Sequence, residues 1–118
     1  MKETDIFVAP LTDCLYNRCK SDIKRSETSS AKKPFVAQDI RQYREVIDDG
    51  VDGMLCRTAD DWYRKIKILI SDKKLRRSMG IAGFERIKRE KQMKNNLDRY
   101  GQFFKEVFLT KLEKVYYN

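Results

Sequence analysis

Asn17-Arg18-Cys19-Lys20-Ser21-Asp22-Ile23-Lys24-Arg25-Ser26-Glu27, then a strand opening at Pro34, then Tyr43-Arg44-Glu45-Val46-Ile47-Asp48-Asp49-Gly50-Val51-Asp52-Gly53, is the stretch on which the reading of this chain turns. Ser21 is an N-cap residue type for a helix running to about Ala31, with a thin apolar face of Ile23 and Ala31. Lys33-Pro34 opens a short strand at Phe35-Val36-Ala37. Arg41 to Asp48 carries Tyr43, Val46 and Ile47 at helical spacing, and Gly50-Val51-Asp52-Gly53 turns the chain into another strand at Met54-Leu55-Cys56. A turn with positive φ is the reading of both Gly50 and Gly53.

Upstream, Asp5-Ile6-Phe7-Val8-Ala9-Pro10-Leu11 is an apolar run stopped by proline, the form of a buried parallel strand, and Thr12 to Asn17 reads as a loop. Downstream, Asp60-Asp61 caps and favourably charges a helix whose apolar set is Trp62, Ile66, Leu69 and Ile70, with Trp62 a core residue. After Ser71-Asp72 a further helix carries Leu75, Met79, Ala82 and Ile87 beside a dense basic face. From about Glu90, Met93, Leu97, Tyr100, Phe104, Val107, Phe108 and Val115 recur at spacings of a long amphipathic helix. No repeat, low-complexity tract or Pro/Gly-rich linker marks a boundary, so residues 1–118 are expected to form a single unit.

Short apolar strands alternating with helices predict an α/β fold: a short parallel sheet of about three strands with right-handed crossovers. Ligands of such sheets bind outside the carboxyl ends of the strands, here the loops after Leu11, Ala37 and Cys56.

Composition bounds the chemistry. Twenty-six Lys and Arg against eighteen Asp and Glu give a net charge of +8, which favours anionic partners. Histidine is absent, excluding Ser-His-Asp, Cys-His and His-metal arrangements within the chain. Cys14, Cys19 and Cys56 are odd in number and lack Cys-x-x-Cys spacing, which speaks against a disulfide framework or zinc site and for a reducing cytoplasm. Cys14 and Cys56 read as small buried hydrophobes. No apolar run approaches the ~20 residues of a membrane span, and Met1 leads into Lys-Glu-Thr-Asp without a signal-peptide core. The basic 73–94 segment reads first as a solvated helix face; contact with an acidic membrane surface is the second reading, and nucleic-acid binding, lacking an aromatic ladder, the third.

The helix start near Ser21 offers unpaired backbone N–H groups and a positive dipole end, a seat for a diphosphate, flanked by Lys20 and Lys24. Glu27 shares the Lys24 face one turn deeper, where a carboxylate accepts hydrogen bonds from a ribose diol. The alternative is that Lys24 and Glu27 are an ordinary exposed pair.

In order, Pro10-Leu11, Asn17, Lys20-Ser21, Lys24, Glu27, Lys33-Pro34-Phe35-Val36-Ala37, Tyr43-x-Glu45-x-Ile47-x-x-Gly50-x-x-Gly53-x-Leu55, Trp62 and the Asp72 to Gly80 segment resemble the carboxyl-terminal half of GT-B fold glycosyltransferases. The likeness is to the family 4 group of retaining, nucleotide-sugar-dependent enzymes, and it covers roughly Asp5 to Arg89. It implies that Glu27 binds the donor ribose and that residues 19–22 approach the donor sugar and diphosphate through backbone N–H groups. Donor nucleotide-binding residues would then be Lys20, Ser21, Asp22, Lys24 and Glu27, with no metal and no cofactor beyond the nucleotide-sugar donor. Catalytic residues are not assigned. Two positions depart from the family: Cys19 stands where a second glutamate is usual, and Ser21-Asp22 replace a common Phe-Gly pair, as in a subgroup that carries Lys-Ser in this loop.

Family members comprise two Rossmann-like domains, and their diphosphate-gripping cations and acceptor-binding domain precede the part represented here. The resemblance thus implies a partial Rossmann-like domain, the carboxyl-terminal part of a glycosyltransferase's nucleotide-sugar-binding domain, with little transfer activity alone. It also implies an unpaired edge on the first strand and an uncovered final helix at Phe103, Phe104, Val107 and Phe108, hence a homodimer or a partner supplying the missing half. A cytoplasmic location, peripheral to the inner membrane face, goes with this reading. The competing function is a non-catalytic interaction module that dimerises or pairs with another chain.

Overall fold

The computed structural model describes residues 3–91 and 93–116, in two compact units, Met1–Ile87 and Lys88–Asn118. The first unit contains strand β1 (Phe7–Ala9), helices α1 (Leu15–Arg18) and α2 (Ile23–Ser30), strand β2 (Phe35–Gln38), helix α3 (Arg41–Arg44), strand β3 (Met54–Cys56), helix α4 (Ala59–Ser71) and most of helix α5 (Lys73–Lys91). The three strands form one parallel sheet in the order β1-β2-β3, with Phe7 opposite Phe35, Ala9 opposite Ala37, and Val36 opposite Met54. The expected α/β architecture of a three-stranded parallel sheet flanked by helices is therefore present.

Strand alternation divides the core in two. Phe35 and Ala37 face one way and pack with Ala9, Ile40, Tyr43 and Ile47, with Phe7 stacked on Phe35 at 5.5 Å between ring centroids. Val36, Met54 and Cys56 face the other way onto Leu69 and Met79, with Trp62, Ile66 and Leu75 at the margin. Both faces of β2 are thus covered, as a parallel sheet requires. Trp62 is half-buried and its indole N–H donates to the Gln38 side chain at 3.0 Å.

Several local expectations are corrected. The stretch from Thr12 to Asn17 is not all loop, because α1 starts within it at Leu15. Asp22 rather than Ser21 occupies the N-cap position of α2, without a side-chain capping bond, and the buried face of the helix is Arg25, Thr28 and Ser29, while Ile23 is 58% exposed. The reason is a buried ion pair: Arg25, 2% exposed, binds Asp22 through Nη2 at 2.9 Å and donates to the Val46 carbonyl at 3.0 Å. The regular helix expected to run to Asp48 stops at Arg44, and Ile47 enters the core from the following turn. Gly50 has the expected positive φ of 84°, whereas Gly53 does not; Gly53 is required by contact, since a Cβ there would lie 2.9 Å from Ile47 Cγ2 and 3.1 Å from the Phe35 carbonyl oxygen.

Helix α4 is capped by Thr58, two positions before the expected Asp60-Asp61. The Thr58 hydroxyl accepts the Asp61 N–H at 3.1 Å and the Asp61 carboxylate accepts the Thr58 N–H at 3.3 Å, a reciprocal capping box, with Asp60 and Asp61 in the first turn. Leu69 is buried as expected, but Ile70 is 65% exposed. In α5, Met79 and Ile87 are buried, and Gly80 and Gly83 let the helix backbone approach its neighbours. Cys56 is buried; Cys14, contrary to expectation, is exposed.

In the second unit, helix α6 (Met93–Tyr116) begins later than expected, because Glu90 and Lys91 still belong to α5. Phe103, Phe104, Val107, Phe108 and Leu109 of α6 are exposed within this unit. The expected apolar positions Met93, Leu97, Tyr100 and Val115 lie outside the residues whose side chains are described. No helix among the described residues is long and apolar enough to cross a membrane.

Candidate functional site

The carboxyl ends of the strands release three loops. The first, from Pro10 to Asp22, contains α1 and delivers the chain to the start of α2. It is braced internally: the Asn17 side-chain amide donates to the Thr12 carbonyl at 2.8 Å, and Arg18 makes a two-pronged ion pair with Asp13 at 2.6 and 3.1 Å. That pairing holds the Asp13 carboxyl below its usual range through the hydrogen bond from Arg18. From the second loop, Gln42 of α3 donates to the Asn17 carbonyl, so the two loops are joined.

The candidate donor-binding residues follow. Lys20 and Ser21 are exposed, and Lys20 Nζ lies 4.7 Å from the centroid of the Tyr16 ring. Asp22 occupies the N-cap position but makes no capping bond with its side chain, which is engaged by Arg25. The first N–H groups of a helix have no carbonyl one turn back, so here they face solvent or a ligand without a competing side-chain cap. Lys24 and Glu27 stand on the exposed face of α2 with Nζ 3.3 Å from Oε2 and their side chains 62% and 54% exposed. Lys24 and Glu27 thus form the exposed pair of the alternative reading, on the face the donor-site reading also assigns them; Lys20 and Ser21 precede them at the helix start.

A cluster that the sequence reading missed lies at the carboxyl ends of β2 and β3. Asp39 directly follows β2 and Arg57 directly follows β3, and they are bonded side chain to side chain. Arg44 of α3 binds the other Asp39 oxygen at 2.8 Å, leaving the Asp39 side chain 5% exposed. Burial works against its charge, but the hydrogen bonds from Arg57 and Arg44 outweigh burial and hold its carboxyl below the usual range. The signal was positional: each residue immediately follows a strand, where ligand-facing groups of such sheets concentrate. Cys56 has its thiol pushed up to about 11 by burial, so it is neutral and unreactive. Among the described residues, no three His, Cys, Asp or Glu side chains converge as metal ligands.

Residues 1–72, from before β1 to the end of α4, match the family model described as glycosyl transferases group 1. The chain belongs to this family. No curated protein sequence matches it significantly. The matched span includes all three strands and the loop from Cys19 to Glu27. Helix α5, whose first unit residues complete the second core face through Met79, lies beyond the matched span.

Proposed function

We propose that the chain is the carboxyl-terminal, donor-nucleotide-binding part of a GT-B, family 4-like retaining glycosyltransferase. The observation that carries the proposal is the placement of the start of α2 at the carboxyl end of β1, with an uncapped N-terminus and Glu27 exposed one turn along it. In this reading the N–H groups around Ser21 and Asp22 receive the diphosphate, Lys20 and Lys24 supply positive charge, and Glu27 accepts the ribose hydroxyls. The buried Arg25 fixes the loop by holding Asp22 to the Val46 carbonyl. The sheet order supports the placement: β1-β2-β3 is sequential, as in the second half of a doubly wound sheet, where an upstream strand would pair with the free edge of β1. Val8 on that strand is 44% exposed.

Transfer by such enzymes depends on cations that stabilise a departing nucleoside diphosphate. In this reading part of that grip comes from the upstream half, so the isolated chain binds nucleotide and transfers little sugar. A thermal-shift series with UDP, GDP and ADP beside their 2′,3′-dideoxy counterparts tests the ribose role. One native nucleotide should bind about tenfold more tightly than its dideoxy form, a difference that Glu27→Ala abolishes. Equal binding of both forms would reject the role of Glu27.

The exposed apolar face of α6 favours a second reading, a module that pairs with another chain. The two readings are compatible if the partner is the upstream half.

A further inference from the structure

The end of the sheet opposite the nucleotide loop carries its own cationic cleft. Asp5 precedes β1, Lys32, Lys33 and Pro34 lead into β2, and Lys73, Arg76 and Arg77 stand on the first turns of α5; together they line a cleft of about 250 Å³. That is the volume of roughly eight waters, enough for a hydrated phosphate or diphosphate and too small for a nucleic-acid duplex.

Three observations point to an anion. First, five cationic side chains line the cleft against the single carboxylate of Asp5. Second, within the first turn of α5 there is no acidic residue: behind the single carboxylate of Asp72, which precedes the helix, stand Lys73 and Lys74, with Arg76 and Arg77 just beyond. Among the described residues, Lys33, Lys73 and Arg77 are in no ion pair, and the Asp72 carboxylate that directly precedes the helix is engaged in accepting the Leu75 N–H at 3.0 Å. Third, the walls are fixed. Lys32 has a left-handed φ of 57°, and its carbonyl oxygen lies where a Cβ on Gly80 would approach to 2.1 Å, so α5 is seated directly on this turn. Lys32 Nζ rests 4.8 Å from the centroid of Phe84, and Arg76 Nη1 donates to the Leu69 and Ile70 carbonyls at 2.6 and 2.8 Å.

We propose that this cleft binds a phosphorylated group, either the phosphate of an anionic lipid headgroup or a free phosphate compound. Lys33, Lys73 and Arg77 supply the mobile charge, and the anchored Arg76 guanidinium supplies a fixed edge. The site is separate from the Cys19–Glu27 loop and stands or falls independently of the function proposed for it.

The test uses the whole chain, isotope-labelled, with inorganic diphosphate in one arm and vesicles of phosphatidylglycerol or phosphatidylcholine in the other. Saturable shifts of the Lys32–Lys33 and Lys73–Arg77 amides with diphosphate support a free phosphate ligand. Flotation with phosphatidylglycerol but not phosphatidylcholine vesicles, without a diphosphate response, supports the lipid source. In either case Lys33→Ala/Arg77→Ala should weaken binding about a hundredfold, from two charge-assisted hydrogen bonds at about tenfold each. Arg41→Ala/Lys67→Ala, which removes equal charge elsewhere, should not. If the first variant melts with altered circular dichroism, Lys73→Ala/Arg77→Ala, confined to exposed side chains of α5, replaces it under the same criterion. Absence of both responses, or equal weakening by the cleft and control variants, would overturn the proposal.

Discussion

Arg25 shows how much of the candidate site rests on one side chain. It is 2% exposed, paired with Asp22 and bonded to the Val46 carbonyl, so it ties the start of α2 to the turn after α3. Arg25→Ala leaves Asp22 and that carbonyl without their partner and should cost about 3 kcal/mol in urea unfolding. A loss below about 1 kcal/mol would mean that the pair contributes little to the fold. The sequence showed Arg25 only as one basic residue among many, because nothing in a 3.6-residue pattern distinguishes a buried, paired arginine from a solvated one. Lys24 and Glu27 were legible for the opposite reason: their spacing dictates a shared face. Asp39 adds a pH dependence. Its folded-state pKa is depressed, so the stability it contributes is full above the ordinary carboxyl pKa and is lost as pH falls through the depressed value. Acid unfolding followed by circular dichroism should therefore show Asp39→Asn losing less stability than the parent chain below about pH 4. Parallel acid profiles would contradict this.

At the scale of elements, the strands were the most legible part, since short apolar runs bounded by Pro, Gly and charge have few other uses in a parallel sheet. The third came out at Met54–Cys56 as read, and the second gained only Gln38. Helix ends were less legible, because Thr58 outcompeted Asp60-Asp61 by a reciprocal bond with Asp61 that depends on backbone geometry. The glycines of α5 and α6 separate packing from propensity. Gly80 abuts the Lys32 carbonyl, so Gly80→Ala should destabilise the chain by about 3 kcal/mol despite alanine's better helix propensity. A Cβ on Gly101 meets nothing within 4 Å, so Gly101→Ala should be neutral or stabilising by up to about 1 kcal/mol. Thermal melts of the two variants check both signs; a neutral Gly80→Ala would mean that α5 does not seat on the turn.

At the scale of the whole molecule, the exposed residues of α6 and the free edge of β1 predict association in the proposed reading. Light scattering should find a species larger than one chain, and Phe104→Glu/Phe108→Glu should shift it towards the monomer. A strict monomer at high concentration for the parent chain would count against the reading. These surfaces were legible as a pattern of apolar residues at helical spacing, but the pattern alone does not say whether a core or a partner covers it. The cationic cleft was not legible, because Lys32-Lys33 and Lys73–Arg77 come together only when α5 packs on the turn before β2.

The most direct test of the donor-nucleotide account is an NMR titration of the labelled chain with UDP, GDP and ADP, following the amides from Lys20 to Glu27. The account predicts saturable shifts confined to that loop with one of the three nucleotides, lost in Glu27→Ala. Unchanged amides in that loop with all three would contradict it and leave the pairing of this chain with a partner as the function to pursue.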